Sequence, residues 1–393
     1  MVNFTGMKTK SSPHIAIIGA GIAGLTTAFM LQRQGCEADV FEVDRNLRGI
    51  GAGMGLASNA IKAFDYLGLR EEVEAISQSI ADFKICDKNG KLLFAVDAER
   101  IKNRFRTQNY AVHRGDLHKL LTRKISEDQI HSPKRLVRLE QNDKNVKLQF
   151  EDGEAKAYDY VIGADGVNST VRQCLLPKTI PRYAGYWCWR QVIEMPQKNA
   201  ELIRAVWSKN GRFGLTPLPE NRLYWFACIN TDLTDETKNY GIGELRRQFD
   251  AYPWEIPEVL ALSNDRQLIS APIVDIDPPA KFHYGRILLI GDAAHAATPN
   301  MGQGACMAVE DVAVLQDELR HRQWAEAFHG FEKRRQKRTR YIIKNSRRAG
   351  KIAQMDQSPL IAGRDLLFRI LPQKVVNFPL KRLLTEDFMK TDD

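Results

Sequence analysis

The sequence lacks the features that mark a zinc-binding, disulfide-bonded or membrane-spanning protein. Its six cysteines are scattered, with no C-x-x-C pair and no histidine at zinc-ligand spacing. The apolar run within residues 7–31 is followed by Gln32-Arg33-Gln34 and not by a small-residue cleavage pattern, so we do not expect a signal peptide. No other stretch approaches the roughly 20 apolar residues that span a bilayer. These absences predict a protein without a metal site in a reduced, cytoplasmic compartment.

Acidic residues are missing from one stretch of the chain, and this explains its basic character. The formal net charge is +9, but Lys333–Lys351 holds ten Lys or Arg residues and no acid, so the remainder is nearly neutral. We expect a helix with a solvated charged face, which packs through Ile342, Ile343, Ile352 and Ala353. An anionic membrane surface, helped by the apolar and basic tail Leu366–Leu384, is a less favoured partner. Nucleic acid is not expected, because no recognition fold accompanies the charge.

The 393 residues are too many for one compact core, and their patterning predicts strands that alternate with helices. The pattern indicates a strand, a helix and a strand, two further helices, a β-meander, a separate aromatic-rich sheet, a buried strand and a helical end. In that order, the segments are His14–Ile18, Ile22–Gln34, Glu37–Val43, Ser58–Leu67, Gly115–Ser126, 135–162, 180–275, 286–290 and Gly304 onward. Such alternation is typical of an α/β fold.

A glycine-rich turn, Gly19-Ala20-Gly21-Ile22-Ala23-Gly24, joins the first predicted strand to the first helix. Gly19 permits a tight turn, Gly21 lets the backbone approach a pyrophosphate, and Gly24 lets helix and strand pack closely. Glu42 lies 23 residues after Gly19, where an acid accepts hydrogen bonds from an adenosine ribose and disfavours a 2′-phosphate. The turn predicts bound FAD or NAD rather than NADP; the alternative is a glycine-rich turn without a ligand.

A third glycine signature, near the other end of the chain, distinguishes flavin from nicotinamide. Gly291-Asp292 ends a buried strand, and after Pro299 the run Gly302-Gln303-Gly304 opens a helix. A carboxylate at a buried strand end is costly unless it meets donors such as a ribityl chain or backbone N–H groups. The helix N-terminus can point N–H groups at an isoalloxazine ring and stabilise the reduced flavin. The alternative is an ordinary connection between helix and strand without a ligand, which would not need glycine at both 302 and 304.

The second signature, Gly163-Ala164-Asp165-Gly166, lies between these two. Alone it indicates Asp165 or Ser169 as an ordinary helix N-cap. Together the three signatures resemble the fingerprints of the class A flavoprotein monooxygenases, the para-hydroxybenzoate-hydroxylase-like family. The resemblance covers nearly the whole chain, and Pro299–Met307 is especially similar to zeaxanthin-epoxidase-like and urate-hydroxylase-like members.

This resemblance and the predicted elements together indicate an α/β fold with a Rossmann-like FAD-binding domain that is discontinuous in sequence. A mainly antiparallel β-sheet substrate domain is inserted into it, and a helical C-terminal region follows. We expect the FAD-binding domain to comprise 1–73, 97–179 and 272–330, the substrate domain 74–96 and 180–271, and the C-terminal region 331–393.

The resemblance also implies cofactor contacts along the whole length of FAD. Glu42 would bind the adenosine ribose, with Val43 beside it, and the backbone of Val137 would meet the adenine. Arg45 or Arg48 would touch phosphate. The residues assigned to the cofactor are Gly19, Ala20, Gly21, Ile22, Ala23, Gly24, Glu42, Val43, Arg45, Arg48, Arg114, Val137, Asp165, Asp292, Pro299, Gly302, Gln303, Gly304 and Ala305.

Towards the flavin end, Arg114 would reach the pyrophosphate or ribityl region. Asp165 would serve the fold and also reach both FAD and the visiting pyridine nucleotide. Asp292 would bind the ribityl chain and Gly302–Ala305 the isoalloxazine. Since the family inserts oxygen through a flavin C4a-hydroperoxide, the resemblance requires no catalytic side chain.

The region expected to hold the substrate is rich in aromatic residues. Residues 183–226 contain nine of them among 44 positions, against 9% in the whole chain, which suits a flat, apolar substrate. Each single aromatic is more simply explained by packing in a sheet core. Arg190 and Arg212 are the candidates for steering an anionic or polar substrate group; the alternative is that each is an ordinary exposed or paired arginine.

The combined expectation is an FAD-dependent monooxygenase that uses NAD(P)H and dioxygen to hydroxylate or epoxidise a small aromatic, heteroaromatic or unsaturated compound. NAD(P)H should be a transient co-substrate, because there is no second glycine-rich βαβ unit. A monomer or homodimer is expected. The alternatives are a flavin dehydrogenase or reductase without oxygen transfer, and a peripheral-membrane flavoprotein.

Overall fold

A computed structural model describes residues 13–47, 52–97, 108–195 and 202–371. The strands are β1 (Ile15–Ile18), β2 (Ala38–Phe41), β3 (Gly53–Leu56), β4 (Ser77–Ile80), β5 (Asp82–Asp87), β6 (Leu92–Asp97), β7 (Asn109–His113), β8 (Ile130–His131), β9 (Leu136–Gln141), β10 (Val146–Phe150), β11 (Ala155–Tyr158), β12 (Tyr160–Gly163), β13 (Arg182–Glu194), β14 (Leu202–Ser208), β15 (Gly211–Leu218), β16 (Arg222–Asn230), β17 (Ile269–Asp275), β18 (His283–Tyr284) and β19 (Ile287–Leu289). The helices are α1 (Ile22–Arg33), α2 (Ser58–Leu67), α3 (Arg70–Ala75), α4 (Arg114–Thr122), α5 (Thr170–Leu175), α6 (Ile242–Phe249), α7 (Ile256–Leu262), α8 (Asp292–His295), α9 (Gly304–His321), α10 (Trp324–Ala353) and α11 (Ser358–Ile370).

The central sheet brings the three glycine signatures to one edge. Its strand order is β18-β19-β12-β1-β2-β8, and β1 runs parallel to both β12 and β2. Ile18 is in register with Gly163, and Gly163 with Leu289. The three signatures therefore leave the sheet side by side at the carboxyl ends of β1, β12 and β19, the edge where open α/β sheets bind ligands. The predicted α/β fold with its buried opening βαβ unit is confirmed.

Helices α1, α2 and α9 cover this sheet, and their apolar faces close the larger core. Helix α2 has the predicted bounds and ends at Gly68, which takes the left-handed conformation with φ of 74°. Helix α4 differs from the prediction of Gly115–Ser126, because it begins at Arg114 and ends at Thr122. Beyond that residue the chain continues in turns to Ile125, whose side chain is buried in the core.

A second, seven-stranded sheet has the order β17-β13-β16-β15-β14-β5-β6. Its pairs are antiparallel, except that β14 runs parallel to β5. One face is covered by α6 and α7, and together they enclose a separate apolar core around Trp189, Phe213 and Trp225. Since side chains alternate along a strand, the other face presents Tyr186, Arg190, Arg212 and Tyr224.

Two smaller antiparallel sheets complete the fold. Strands β9, β10 and β11 form the predicted β-meander, and β3, β7 and β4 form the other small sheet. The latter meets the seven-stranded sheet at Gly53, whose missing β-carbon would lie 2.4 Å from the ring of Tyr224. The open face of the large sheet also reaches the third glycine signature, because Arg212 on this face donates a hydrogen bond to Asn300.

The basic stretch forms part of α10, a helix of 30 residues, as predicted. Its charge is distributed differently from the prediction, because Arg335 and Arg338 are buried at 1% and 4% exposure. The cations on the opposite side are exposed: Lys333, Lys337, Arg340, Lys344, Arg348 and Lys351. Within the described ranges, no helix combines the length and the apolar character needed to cross a membrane. The predicted apolar and basic tail, Leu366–Leu384, lies outside the described residues beyond position 371.

Candidate active site

The first glycine turn has two tightly packed glycines and one open position. A β-carbon on Gly19, whose φ is 104°, would lie 2.6 Å from the backbone oxygen of Ala164, and one on Gly24 would lie 1.9 Å from that of Gly19. A β-carbon on Gly21 would meet no described atom within 4 Å. The fold thus requires glycine at positions 19 and 24. At position 21 the absence of a side chain leaves room for a ligand beside the N-terminus of α1.

Glu42, at the end of β2, holds this turn. Its carboxylate accepts hydrogen bonds from the backbone N–H of Ala20 at 2.7 Å and of Asp44 at 2.9 Å. A carboxylate has about four acceptor sites, so the two oxygens can still bind a ribose hydroxyl. The other side chains predicted at the adenosine end, Val43, Arg45 and Val137, are exposed. Arg48 lies outside the described residues.

The second signature forms a capped helix start. The Asp165 carboxylate accepts hydrogen bonds from the Ser169 hydroxyl and, at 3.1 Å, from the Val171 backbone N–H. Ser169 in turn caps α5 by accepting from the N–H of Arg172 at 2.9 Å. Burial raises the pKa of Asp165, although the hydrogen bonds to its carboxylate act in the opposite direction. The structure therefore shows the capping interpretation directly, and an additional contact of Asp165 with FAD or a pyridine nucleotide stays a prediction.

The third signature places the carboxylate of Asp292 where protein surrounds it but solvent can still reach it. The Asp292 side chain is accessible to solvent although protein surrounds it, which locates it in a cleft. This enclosure raises the pKa of Asp292, while the nearby charges of His295 and Arg114 oppose the rise. Across the cleft, a β-carbon on Gly304 at the start of α9 would come within 4.0 Å of the Asp292 carboxylate.

Arg114 lies in the same cleft and is also accessible. Its enclosure by protein lowers the pKa of the guanidinium, and the positive charge of Arg190 acts in the same direction while Asp292 opposes it. A cation, a carboxylate and the N-terminus of α9 therefore converge on one space. The open position at Gly21 and this cleft lie along one sheet edge and fit an elongated dinucleotide with a polar linker.

A buried ionic network beneath the cleft fixes the third signature. Asp311 accepts hydrogen bonds from the Gly291 N–H at 2.8 Å and from Arg335 Nε at 2.6 Å, and its other contact is His295 Nε2 at 2.6 Å. Burial alone would raise the pKa of Asp311, but His295 and Arg335 lower it. The turn that carries Asp292 is thus anchored by helices α9 and α10.

Glu310 extends this network to Gln303 in the predicted flavin loop, Gly302–Ala305. It accepts from Arg335 at 2.8 Å and from Arg338 Nε at 2.7 Å, and these cations overcome burial and lower its pKa to about 2. Asn59 on α2 donates to both Glu310 and the Gln303 side chain. The Gln303 side chain is therefore held by protein, whereas Gly302, with φ of 62°, is exposed.

The open face of the large sheet forms the opposite wall. Arg212 is 6% exposed, donates from its guanidinium to Asn300 Oδ1 at 2.9 Å and lies over the ring of Tyr186. Arg190 is half-buried on the same face, close enough to Arg114 to influence its charge. Among the described residues, none accepts a hydrogen bond from the buried Nε of Arg190 or of Arg212.

The aromatic residues of this region divide between the two faces of the sheet. Trp189, Phe213 and Trp225 pack in the core under α6 and α7, as expected for part of the group. Tyr186 and Tyr224 lie on the open face, where burial raises the pKa of Tyr186 to about 12 and also raises that of Tyr224. Both hydroxyls keep their protons at neutral pH and can donate hydrogen bonds.

Sequence reasoning missed the residues that connect these walls, in particular Asn300, Glu310 and Arg338. Asn300 lies inside the recognised run from Pro299 to Gly304, but its partner Arg212 is 88 positions away. The network had a visible signal, because Glu310 and Asp311 interrupt the apolar residues of α9 and face a helix rich in arginine.

Comparisons with known proteins agree with this geometry. Residues 13–328 match the family model described as FAD binding domain. The chain is 29% identical over 377 residues to the aurachin C monooxygenase/isomerase of Stigmatella aurantiaca, with 95% of this chain and 98% of the relative covered. It is 30% identical to the 6-hydroxynicotinate 3-monooxygenase of Bordetella bronchiseptica, with 78% and 82% covered. The crystal structure of Klebsiella pneumoniae HpxO with FAD and uric acid has a TM-score of 0.87 at 24% identity, with 95% and 96% covered.

Proposed function

Because the chain belongs to the FAD binding domain family and is an FAD-dependent monooxygenase, we propose that it hydroxylates a planar aromatic or heteroaromatic compound with an anionic group. The observation that supports this choice is the pair Arg190 and Arg212 on the open face of the sheet. Both carry a positive charge on that face, Arg190 is half-buried, and Arg212 reaches the turn Pro299–Met301, which precedes Gly302, through its hydrogen bond to Asn300. An arginine fork of this kind matches a carboxylate or a deprotonated ring oxygen.

We propose that FAD lies along the sheet edge, with its pyrophosphate at Gly21 and its ribityl chain beside Asp292. Glu42 would bind the adenosine ribose, and the N-terminus of α9 at Gly302–Ala305 would face the flavin ring. Bound FAD would supply the redox chemistry that takes electrons from transient NAD(P)H and activates dioxygen. The same helix N-terminus would stabilise negative charge on the reduced ring.

The protein's own contribution to the reaction is binding and orientation. Arg212 would hold the anionic substrate group, and Arg190 would act from β13, which is separated from β15 by strand β16. Tyr224, which is half-buried on the same face, offers an aromatic surface against which a ring can stack. Hydroxynicotinate, named for the Bordetella relative, is a ring of this class that carries a carboxylate.

The test compares aromatic carboxylates with their carboxamides in the purified flavoprotein. We expect carboxylates to stimulate NAD(P)H consumption and to yield a product heavier by one oxygen atom, labelled when ¹⁸O₂ is supplied. Arg212→Gln should raise KM for the carboxylate by roughly 10-fold to 100-fold, as expected on losing a charged hydrogen bond. It should change KM for the carboxamide little, and FAD content should be unaffected.

Two results would oppose this proposal. Equal effects of Arg212→Gln on carboxylate and carboxamide would show that the arginine does not recognise charge. Turnover without ¹⁸O in the product would instead favour a dehydrogenase or reductase.

A further inference from the structure

Asn300 lies where three parts of the protein meet. It belongs to the short helical turn Pro299–Met301 that leads into the predicted flavin loop. Its Oδ1 accepts a hydrogen bond from Arg212 of the large sheet at 2.9 Å, and its Nδ2 donates to the Ser346 backbone oxygen on α10 at 3.0 Å. The Tyr186 hydroxyl lies 3.0 Å from Nδ2. One amide thus joins the substrate wall, the cofactor loop and α10.

The orientation of this amide is determined by its partners. Nδ2 also donates to the Thr298 hydroxyl at 2.9 Å, and the Ser346 carbonyl can only accept. The amide oxygen must therefore point to the other side, where Arg212 donates to it. A guanidinium on a flexible stem loses less freedom on binding a ligand when one of its nitrogens is already fixed.

Gly350 on α10 shows how closely Asn300 is enclosed. A β-carbon at position 350 would lie 2.4 Å from Asn300 Nδ2, although helix propensity alone would favour alanine there. Any side chain at this position would displace the amide. The absence of a side chain at Gly350 therefore leaves the space that the Asn300 amide occupies.

From these contacts we infer that Asn300 is a positioning residue, which holds Arg212 in the geometry that binds the anionic substrate and is itself kept in place by Ser346 and Gly350. The inference rests on the proposed role of Arg212. It assigns to α10 a part in substrate recognition, although α10 supplies no side chain to the proposed substrate contact. It also links the substrate arginine to the loop before Gly302, so that both would shift together.

The experiment uses the holoenzyme and an aromatic carboxylate that the wild-type protein oxidises. Gly350→Ala should raise KM for this carboxylate about 10-fold, the scale expected when a binding group is misplaced by part of an ångström. FAD content should stay constant, and KM for the carboxamide should change less than about twofold. Gly363→Ala on α11 is the matched control, because a β-carbon there would meet no described atom within 4 Å; it should leave both KM values unchanged.

The decisive measurement repeats Gly350→Ala in an Arg212→Gln background. If Asn300 acts through Arg212, the double variant should show no further rise in KM, whereas a general structural disturbance would add to it. Asn300→Ser provides a second route if Gly350→Ala does not fold, and it should show the same dependence on Arg212. An additive effect, or unchanged KM in both variants, would overturn the inference.

The outcomes also separate this inference from the proposed function. If Arg212→Gln raises KM but Gly350→Ala and Asn300→Ser do not, the substrate arginine stands and the positioning role is wrong. If Arg212→Gln itself leaves KM for the carboxylate unchanged, both are wrong.

Discussion

The β-carbon that Gly24 lacks would lie 1.9 Å from the backbone oxygen of Gly19, whereas the one that Gly21 lacks would meet no described atom within 4 Å. Two glycines of a single turn are thus required for different reasons. Gly24 is needed by the fold, because α1 packs against the end of β1. The openness at Gly21 fits the pyrophosphate that we propose to bind there.

This difference predicts opposite phenotypes for two similar variants. Gly24→Ala should lower the free energy of unfolding of the apoprotein by about 2 kcal/mol or more, because the backbone must move to admit the methyl group. Gly21→Ala should leave the apoprotein as stable as wild type and reduce FAD content after reconstitution. Urea unfolding and the flavin absorbance measure the two effects. Full FAD content in Gly21→Ala would contradict the assignment of this position to the pyrophosphate.

Asp292 should stabilise the cofactor at the expense of the apoprotein. Its folded-state pKa is raised above the ordinary value of 3.8, so the folded apoprotein binds a proton more tightly than the unfolded chain. The stability it contributes is present at low pH and is lost as pH rises from 3.8 through the folded pKa. Asp292→Asn should therefore make the apoprotein more stable at pH 7 and should bind FAD at least about 10-fold more weakly.

The control for this prediction is pH. The stability gain of Asp292→Asn should shrink as pH falls from the folded-state pKa towards 3.8 and should vanish below 3.8, where the wild-type carboxyl is protonated in both states. A gain that is independent of pH would mean that the asparagine acts through packing and not through charge. The measurements are urea unfolding of the apoprotein between pH 3 and 8 and titration with FAD at neutral pH.

Glu310 should make the fold sensitive to acid. Its folded-state pKa is about 2 against an ordinary value of 4.5, so its contribution is present above pH 4.5 and is lost as pH falls from 4.5 to about 2. The shift corresponds to about 3 kcal/mol at neutral pH. Glu310→Gln should lower stability at pH 7 by a similar or larger amount, because Arg335 and Arg338 would remain buried without their counter-charge. The difference between wild type and variant should narrow below pH 4.5.

The buried and exposed cations of α10 should contribute very differently to the free energy of unfolding. Arg338→Gln removes a buried partner of Glu310 and should lower the free energy of unfolding by about 3 to 5 kcal/mol. Lys344→Gln changes an exposed cation on the same helix and should alter it by at most about 0.5 kcal/mol. Each variant loses one positive charge. Chemical unfolding of the two holoenzymes measures the free energy of unfolding of each. Equal destabilisation would show that overall charge, and not the buried network, is responsible.

The part of this site that lies on short local segments could be predicted from the sequence. The turn that begins at Gly19, the acid at 42 and the turn at 291–292 each come at the end of a parallel strand, so local patterning identified them and the sheet brought them together. Contacts between distant segments could not be predicted in the same way. Asn300 meets Arg212 because the fold brings β15 against the turn Pro299–Met301, and no local pattern encodes that contact.

The basic helix shows a signal that was available but misinterpreted. Arg335 and Arg338 lie on the same side of α10 as Phe331 and Ile342, which are buried, so helical periodicity places them towards the core. Counting charge without its periodicity suggested a solvated face. The six exposed cations agree with that expectation, and the two buried arginines do not.

The family match ends at residue 328, but α10 continues to Ala353. A fragment cut at the match boundary would retain Glu310 and Asp311 in its interior without the arginines that neutralise them. The smallest autonomous version of this protein should therefore extend through residue 353. Chimeras that graft the large sheet of one relative onto another should transfer this helix with it, because Ser346 and Gly350 must match the loop that meets the grafted arginine.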